Sequence, residues 1–294
     1  MNHYYPEGWK LDTPENRAAM QTPAALQAAW GEGRILEARA MLCDSSHNLI
    51  VDLGCMKGLI PREEGAVGIR EGTARDIAIL SRVNRPVCFL VQSFFKDENG
   101  ATTALLSRRA AQEECRRAFL SRLTPGDVIP ARVTHLEPFG AFADVGCGVV
   151  ALLPIDAISV SRITLSHKEL LGTWAENASQ FHAGETVGGI VRSVEPYGVF
   201  VELAPNLAGL AESHEGAQAG MQASVFIKSI LPARMKIKLI LIDSFRAPAD
   251  PPTPRYYFRG SHMDRFVYSP PECGKLVVTD FTVPPHRPRK QAEP

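Results

Sequence analysis

The chain has 294 residues, 45% of them hydrophobic and 22% charged. That profile excludes a collagen, a coiled coil or a fully disordered chain, and it leaves room for two average domains or three to four small ones. Its 32 Lys and Arg balance 32 Asp and Glu, so the whole-protein field steers neither toward nucleic acid nor away from it, and any basic surface is local.

No run approaches the ~18 to 20 apolar residues of a membrane span, and the N-terminal MNHYYPEGWKLDTPENRAAM lacks a signal-peptide pattern. The expected location is cytoplasmic, with no membrane partner. In chain order, residues 1–32 form an N-terminal segment in which 22–33 (TPAALQAAWGEG) has a Thr cap, a Pro in its first turn and a terminal Gly, and so predicts a short helix. A first set of short apolar runs follows, from Arg34-Ile-Leu-Glu-Ala-Arg through Leu49-Ile-Val-Asp-Leu-Gly to Gly58-Leu-Ile-Pro. Residues 107–122 (SRRAAQEECRRAFLSR) predict a second helix with five Arg against two Glu, and 170–178 (LLGTWAENA) a third. Beyond Phe245 the tail holds 10 of the 22 prolines, which argues against regular structure until a possible strand at Lys275-Leu-Val-Val-Thr-Asp-Phe. Its segment 254–271 mixes five aromatics with basic residues and is expected to pack on the last folded module.

Self-comparison is the most informative reading, because a repeat sets the architecture before any single residue does. At an offset of 58, residues 126–142 lie over 184–200, aligning Val133 with Val191, Glu137 with Glu195, Pro138 with Pro196, Gly140 with Gly198 and Phe142 with Phe200. Each copy reads as an alternating strand, a tight turn at Glu-Pro, and a second strand opening aromatic-Gly-x-Phe. Two aromatics three residues apart would face opposite sides of an ideal strand, so a bulge at the intervening glycine is expected to bring both rings to one face. A fainter copy lies upstream, with Asp52-Leu-Gly 92 residues before Asp144-Val-Gly and Leu59-Ile-Pro 93 residues before Leu152-Leu-Pro.

Together, Phe139-Gly-Ala-Phe142 and Arg162-Ile-Thr-Leu-Ser166-His-Lys168 resemble the RNA-binding repeat of the bacterial ribosomal protein S1 family, an OB-fold module. The resemblance covers about residues 33–245. It implies an all-β dominated chain of tandem small OB-fold barrels joined by short helices. The divisions are 1–32, an OB domain at 33–110, a linker helix at 111–122, a second OB domain at 123–168, a linker at 169–182, a third OB domain at 183–245, and a Pro- and aromatic-rich extension at 246–294. A complete module needs about 65 to 75 residues, and residues 126–166 supply only 41. The second barrel is therefore expected to be truncated, lacking its long third loop and fourth strand, and so to be either open, completed by a neighbour, or damaged. The first repeat carries His47 and Ile50 where the second has Phe139 and Phe142, so its ring pair is missing. In the family the leading repeats often dock on the ribosome, and the resemblance implies that role here.

Single-stranded RNA is held by bases stacking on aromatics while Lys and Arg follow the phosphates. The platforms are Phe139, Phe142, Tyr197 and Phe200, and the neighbouring polar or basic residues are Arg132, His135, Arg162, Arg192, Lys228 and Lys236. By resemblance, Arg162 matches the family's closing-strand arginine and Lys236 its counterpart in the third repeat. The competing reading is that one ring of each pair fills the small barrel core. No G-x-x-x-x-G-K-[ST], H-E-x-x-H or G-x-S-x-G is present, and the segments outside the repeats are too short for a catalytic core, so an enzyme is not expected. The six cysteines show no C-x-x-C spacing, and neither a metal nor another cofactor is expected. The favoured function is a monomeric translation protein whose partners are single-stranded messenger RNA and the small ribosomal subunit. The alternative is a protein-interaction module whose OB barrels bind RNA weakly or not at all.

Overall fold

The computed structural model describes residues 4–98, 100–154, 164–214, 216–247 and 254–282. It divides into two compact units, Met1–Thr124 with Ile129–Leu165, and Pro125–Val128 with Ser166–Pro294.

The first unit begins with two short helices, α1 (Pro14–Met20) and α2 (Pro23–Gly31), each with a Thr hydroxyl capping its first turn and a Pro at its start. Leu26 of α2 is fully buried in the core of the barrel that follows. That barrel comprises β1 (Leu36–Cys43), β2 (Leu49–Asp52), β3 (Lys57–Ile60), β4 (Pro86–Lys96) and β5 (Thr102–Ser107), with α3 (Ile77–Leu80) before β4. It closes in the order β1-β2-β3-β5-β4. The β3–β5 pairing is parallel and the others antiparallel. Leu36, Leu49, Ile60, Phe89 and Leu106 fill the interior, one residue in two along each strand turning inward.

The arginine-rich segment folds as α4 (Arg108–Ala118), capped by the Ser107 hydroxyl, with a 3-10 turn at Leu120–Arg122. The middle repeat is a three-stranded antiparallel meander, β6 (Arg132–Glu137), β7 (Gly140–Asp144) and β8 (Val150–Pro154). Leu152 makes one parallel bridge to Thr164. That bridge stands where β3 meets β5 in the first barrel, so among the described residues this repeat keeps three strands and a stub of its fifth. The link from 155 to 163 lies outside the described residues. A small apolar cluster joins the meander to α4 and the barrel through Ile35, Cys88, Ala111, Cys115, Val145, Cys147 and Ala151.

A strap at the N-terminus ties these parts together, and the sequence reading assigned it no role. The buried Glu7 carboxylate is held by Arg108 (Nε to Oε1, 2.6 Å; Nη2 to Oε2, 2.9 Å), by Arg82 at 3.3 Å and by the Cys88 amide at 3.1 Å. Burial alone would raise its pKa, yet Arg108 and the other donors hold it below the usual carboxylate value. The Glu7 amide donates to Asp144 Oδ2 at 2.8 Å, and the Gly8 and Lys10 amides donate to buried Glu37.

The second unit opens with a 3-10 turn (Lys168–Leu171) and α5 (Trp174–Ala178), where Thr173 and Glu176 form a reciprocal capping box. Its barrel contains β9 (Thr186–Glu195), β10 (Gly198–Ala204), β11 (Leu207–Ala211), β12 (Gln222–Leu231) and β13 (Lys236–Phe245). They close as β10-β11-β13-β12-β9, the same cyclic order as in the first barrel, again with one parallel pair, β11–β13. The chain is thus built on tandem OB-type barrels with short helices between them.

The proline-rich extension contributes β14 (Arg265–Val267) and β15 (Val278–Asp280), paired antiparallel. The extension does pack on the last barrel: the Tyr268 hydroxyl donates to Asn206 O at 2.6 Å, and its carbonyl accepts from the Trp174 amide. Residues 261–263 also pair with 126–128, through the Asp127–His262 bridge and the Val128 and Met263 amides. Those three residues align with 184–186, where the complete barrel begins β9, and both sides of this pairing belong to the second unit.

Candidate nucleic-acid interface

Both ring pairs sit at the same place in their modules. Phe139 and Tyr197 lie in the tight turn before the second strand, 56% and 67% exposed, while Phe142 and Phe200 are half-buried on the strand. Phe139 meets Phe142 edge-to-face at 6.1 Å between centroids, and Tyr197 meets Phe200 the same way at 6.2 Å. Neither Phe142 nor Phe200 belongs to an interior apolar cluster. The inward positions beside Phe200 are Val199 and Val201, both fully buried, so no ring of either pair fills a core.

The rings share a face, but not through a bulge at the glycine. The register shifts fall on the preceding strand, at Thr134 in β6 and at Arg192 in β9. Gly140 and Gly198 do something else. At φ +156 and +152 they bring their strand against the next one, and a Cβ there would press into the carbonyl oxygens of Leu153 and Ala211. The first ring escapes strand alternation because it belongs to the turn.

Strand register extends each platform into a row. In the third repeat Ser193, Phe200, Leu210 and Lys238 are successive cross-strand partners. The middle repeat gives His135, Phe142, Leu152 and Thr164. In the first barrel the corresponding row is Leu42, Ile50, Leu59 and Leu105, entirely aliphatic. His47, in the turn at φ +63, faces Asp76 at 3.2 Å, and Arg62 holds the same carboxylate at 2.8 Å.

The polar residues divide into groups. His135 stacks on Phe142 (6.4 Å, 21° between planes), with its Nε2 2.7 Å from Glu137 Oε1, and so belongs to the platform. Arg132 donates to the Glu7 carbonyl at 3.2 Å, which ties it to the N-terminal strap. Arg192 and Lys228 are exposed and occupy bulges in β9 and β12. Lys236 opens β13 on the same exposed face as Lys238. Lys238 lies in line with Phe200 and was missed, although the alternation in Lys236-Ile-Lys-Leu places it on the outer face. Arg162 lies outside the described residues.

No protein-family model matches the chain. The small ribosomal subunit protein bS1 of Staphylococcus aureus (strain COL) is 27% identical over 276 aligned residues, covering 78% of this chain and 66% of that protein. The bS1 of Staphylococcus haemolyticus is 30% identical over 234 residues, covering 65% of this chain and 57% of that protein. The chain therefore spans less than two thirds of the length of these curated relatives. Among solved structures, a multidomain protein with nucleic acid binding domains from Streptococcus pneumoniae aligns with 74% of this chain and 76% of its own at 13% identity. The TM-score of that alignment is 0.22. Sequence likeness to bS1 and the tandem OB barrels point the same way, and the chain is S1-like.

Proposed function

We propose that this chain is an RNA-binding translation protein that holds single-stranded messenger RNA and docks on the small ribosomal subunit. The observation that carries the reading is the aromatic pair repeated at an interval of 58, an exposed ring in the turn against a half-buried ring in the same cross-strand row of two modules. Stacking on such rings is sequence-tolerant, because every base presents a π face. Lys236, Lys238, Arg192 and Lys228 supply exposed cations for phosphates in the third repeat. Within the boundaries 33–110, 123–168 and 183–245, the first repeat serves protein contact and the other two serve RNA. In this reading the protein is a cytoplasmic monomer that binds and does not catalyse.

The likeness to small ribosomal subunit proteins supports docking, and so does the aliphatic row of the first barrel, which offers a base no ring. The same row favours the second reading, a module for protein contact that binds RNA weakly. Affinity for a fluorescent single-stranded oligonucleotide, measured against salt, separates the two. Phosphate contact gives a linear loss of log affinity with log salt, and a chain with no measurable affinity at low salt would leave only the second. Co-sedimentation with purified small subunits tests docking, and its absence at low salt would remove that part of the proposal.

A further inference from the structure

The arginine-rich helix was read from sequence as a linker, and the structure gives it a second aspect. In the first unit, a groove of about 1070 Å³ runs between α4 and the outer face of the middle repeat. Thr134, Phe142 and Leu152 line it from the sheet, the last two being partners in the ring row. Arg116, Arg117 and Ser121 line it from the helical segment, and Arg82 and Arg108 lie in the wall beyond. A half-buried ring therefore shares a groove with a row of cations from a different element.

The charges there are unevenly compensated. Arg82 and Arg108 share the single carboxylate of Glu7. Arg117 pairs with Glu114 at 2.6 Å on an exposed surface, an interaction that water and salt weaken and a ligand can replace. Arg116 is exposed and has no ion pair among the described residues. Of the two acidic residues in the lining, Glu113 is held by Arg109 at 2.6 Å. Asp144 is buried on the strand face that carries Phe142, accepts from the backbone amides of Glu7, Gly146 and Gly148, and offsets the charge of nearby Arg108. The groove thus presents a π surface beside the exposed guanidinium groups of Arg116 and Arg117, an arrangement suited to a base on one wall and its phosphates on the other.

We propose that this groove is the phosphate track of the middle repeat: Arg116 and Arg117 of α4 contact the backbone of single-stranded RNA whose base stacks on Phe142. The proposal rests on the RNA-holding reading above and goes beyond it by adding a cationic wall from outside the repeat. It also accounts for a truncated module keeping its ring pair. The meander retains the platform, and the neighbouring helix supplies the cations.

The test uses the full chain and fluorescence anisotropy with a labelled single-stranded oligouridylate over a salt series. Both arginines are exposed, so Arg116→Gln with Arg117→Gln should fold normally, and a thermal melt checks this. Each lost phosphate contact should reduce the slope of log affinity against log salt by about 0.7 and weaken binding about fivefold near 0.1 M salt. Phe142→Ala should weaken binding with little change of slope. Arg17→Gln, an exposed arginine paired with Asp12 on α1, controls for net charge. If the double variant keeps the affinity and slope of the parent while Tyr197→Ala still weakens binding, the groove is not the track and the RNA reading stands. An Arg17→Gln effect as large per charge would also overturn the proposal. If the parent chain shows no affinity at low salt, the RNA reading and the groove fall together.

Discussion

The ring pair depends on a glycine whose necessity comes from its neighbour's backbone. At Gly198 both the positive φ and the approach of Ala211 exclude a side chain, so Gly198→Ala should cost more than about 2 kcal/mol, read from chemical denaturation of the full chain. The same change at Gly31, which has open space and an ordinary φ, should be neutral or slightly stabilising. The rings themselves should be dispensable for folding. Tyr197→Ala with Phe200→Ala is expected to weaken RNA binding by about 1 to 3 kcal/mol per lost stack, and unchanged affinity in the folded variant would remove stacking from the mechanism. Phe139, Phe142, Tyr197 and Phe200 were legible because the repeat aligned them. The cause of their shared face was not: Phe139 and Tyr197 belong to the turn before the strand, and alternation along the strand does not tell where that turn ends.

Glu37 gives a residue-scale effect of pH. Burial is the main reason its carboxyl rises from 4.5 to about 7, against the amides of Lys10 and Gly8, which favour the charged form. The folded state therefore holds a proton on Glu37 between about pH 4.5 and 7 that the unfolded chain releases. Its contribution to stability is full below 4.5 and is lost as pH rises toward 7. Glu7, with its pKa lowered by Arg108, acts in the opposite sense and loses its contribution as pH falls through its folded value. Glu37→Gln should flatten the decline in melting temperature between pH 4.5 and 7. An unchanged profile would show that Glu37 ionises freely in the folded protein.

At the scale of elements, the two copies of one module show what a missing strand does. Val191 is 1% exposed inside its closed barrel, and its repeat partner Val133 is 53% exposed on the open meander. Val191→Ala should cost about 2 kcal/mol, the sum of lost transfer and a cavity, whereas Val133→Ala should cost under about 1 kcal/mol. Comparable losses at both sites would mean that the middle repeat is covered in solution. The small interior of the meander is written in its residues: Ala141 and Ala143 stand where the complete barrel has Val199 and Val201. The count of 41 residues foretold a short sheet. That α4 and the strap around Glu7 would support it was not legible, because Glu7, Arg82, Arg108 and Asp144 are far apart in sequence and meet only through tertiary contacts.

For the whole molecule, the expectation is a division of labour. Removing the rings of both pairs should abolish most RNA affinity while leaving co-sedimentation with small subunits intact, because the corresponding row of the first barrel holds no ring to lose. Loss of both together would mean that the chain reaches the subunit only through RNA. Sequence by itself determined the repeat, the tandem barrels, the capped helices and the positions of the paired rings. Each of these is written in local pattern: period-two alternation, turn residues, a cap hydroxyl, a spacing of 58. Only the tertiary structure decided which cations meet which rings, which strand stands open and which charges are neutralised, because such neighbours are set by strand register and by packing between elements distant in the chain. Lys238 beside Phe200, Arg116 across a groove from Phe142, and Arg132 drawn to the carbonyl of Glu7 are all consequences of that packing.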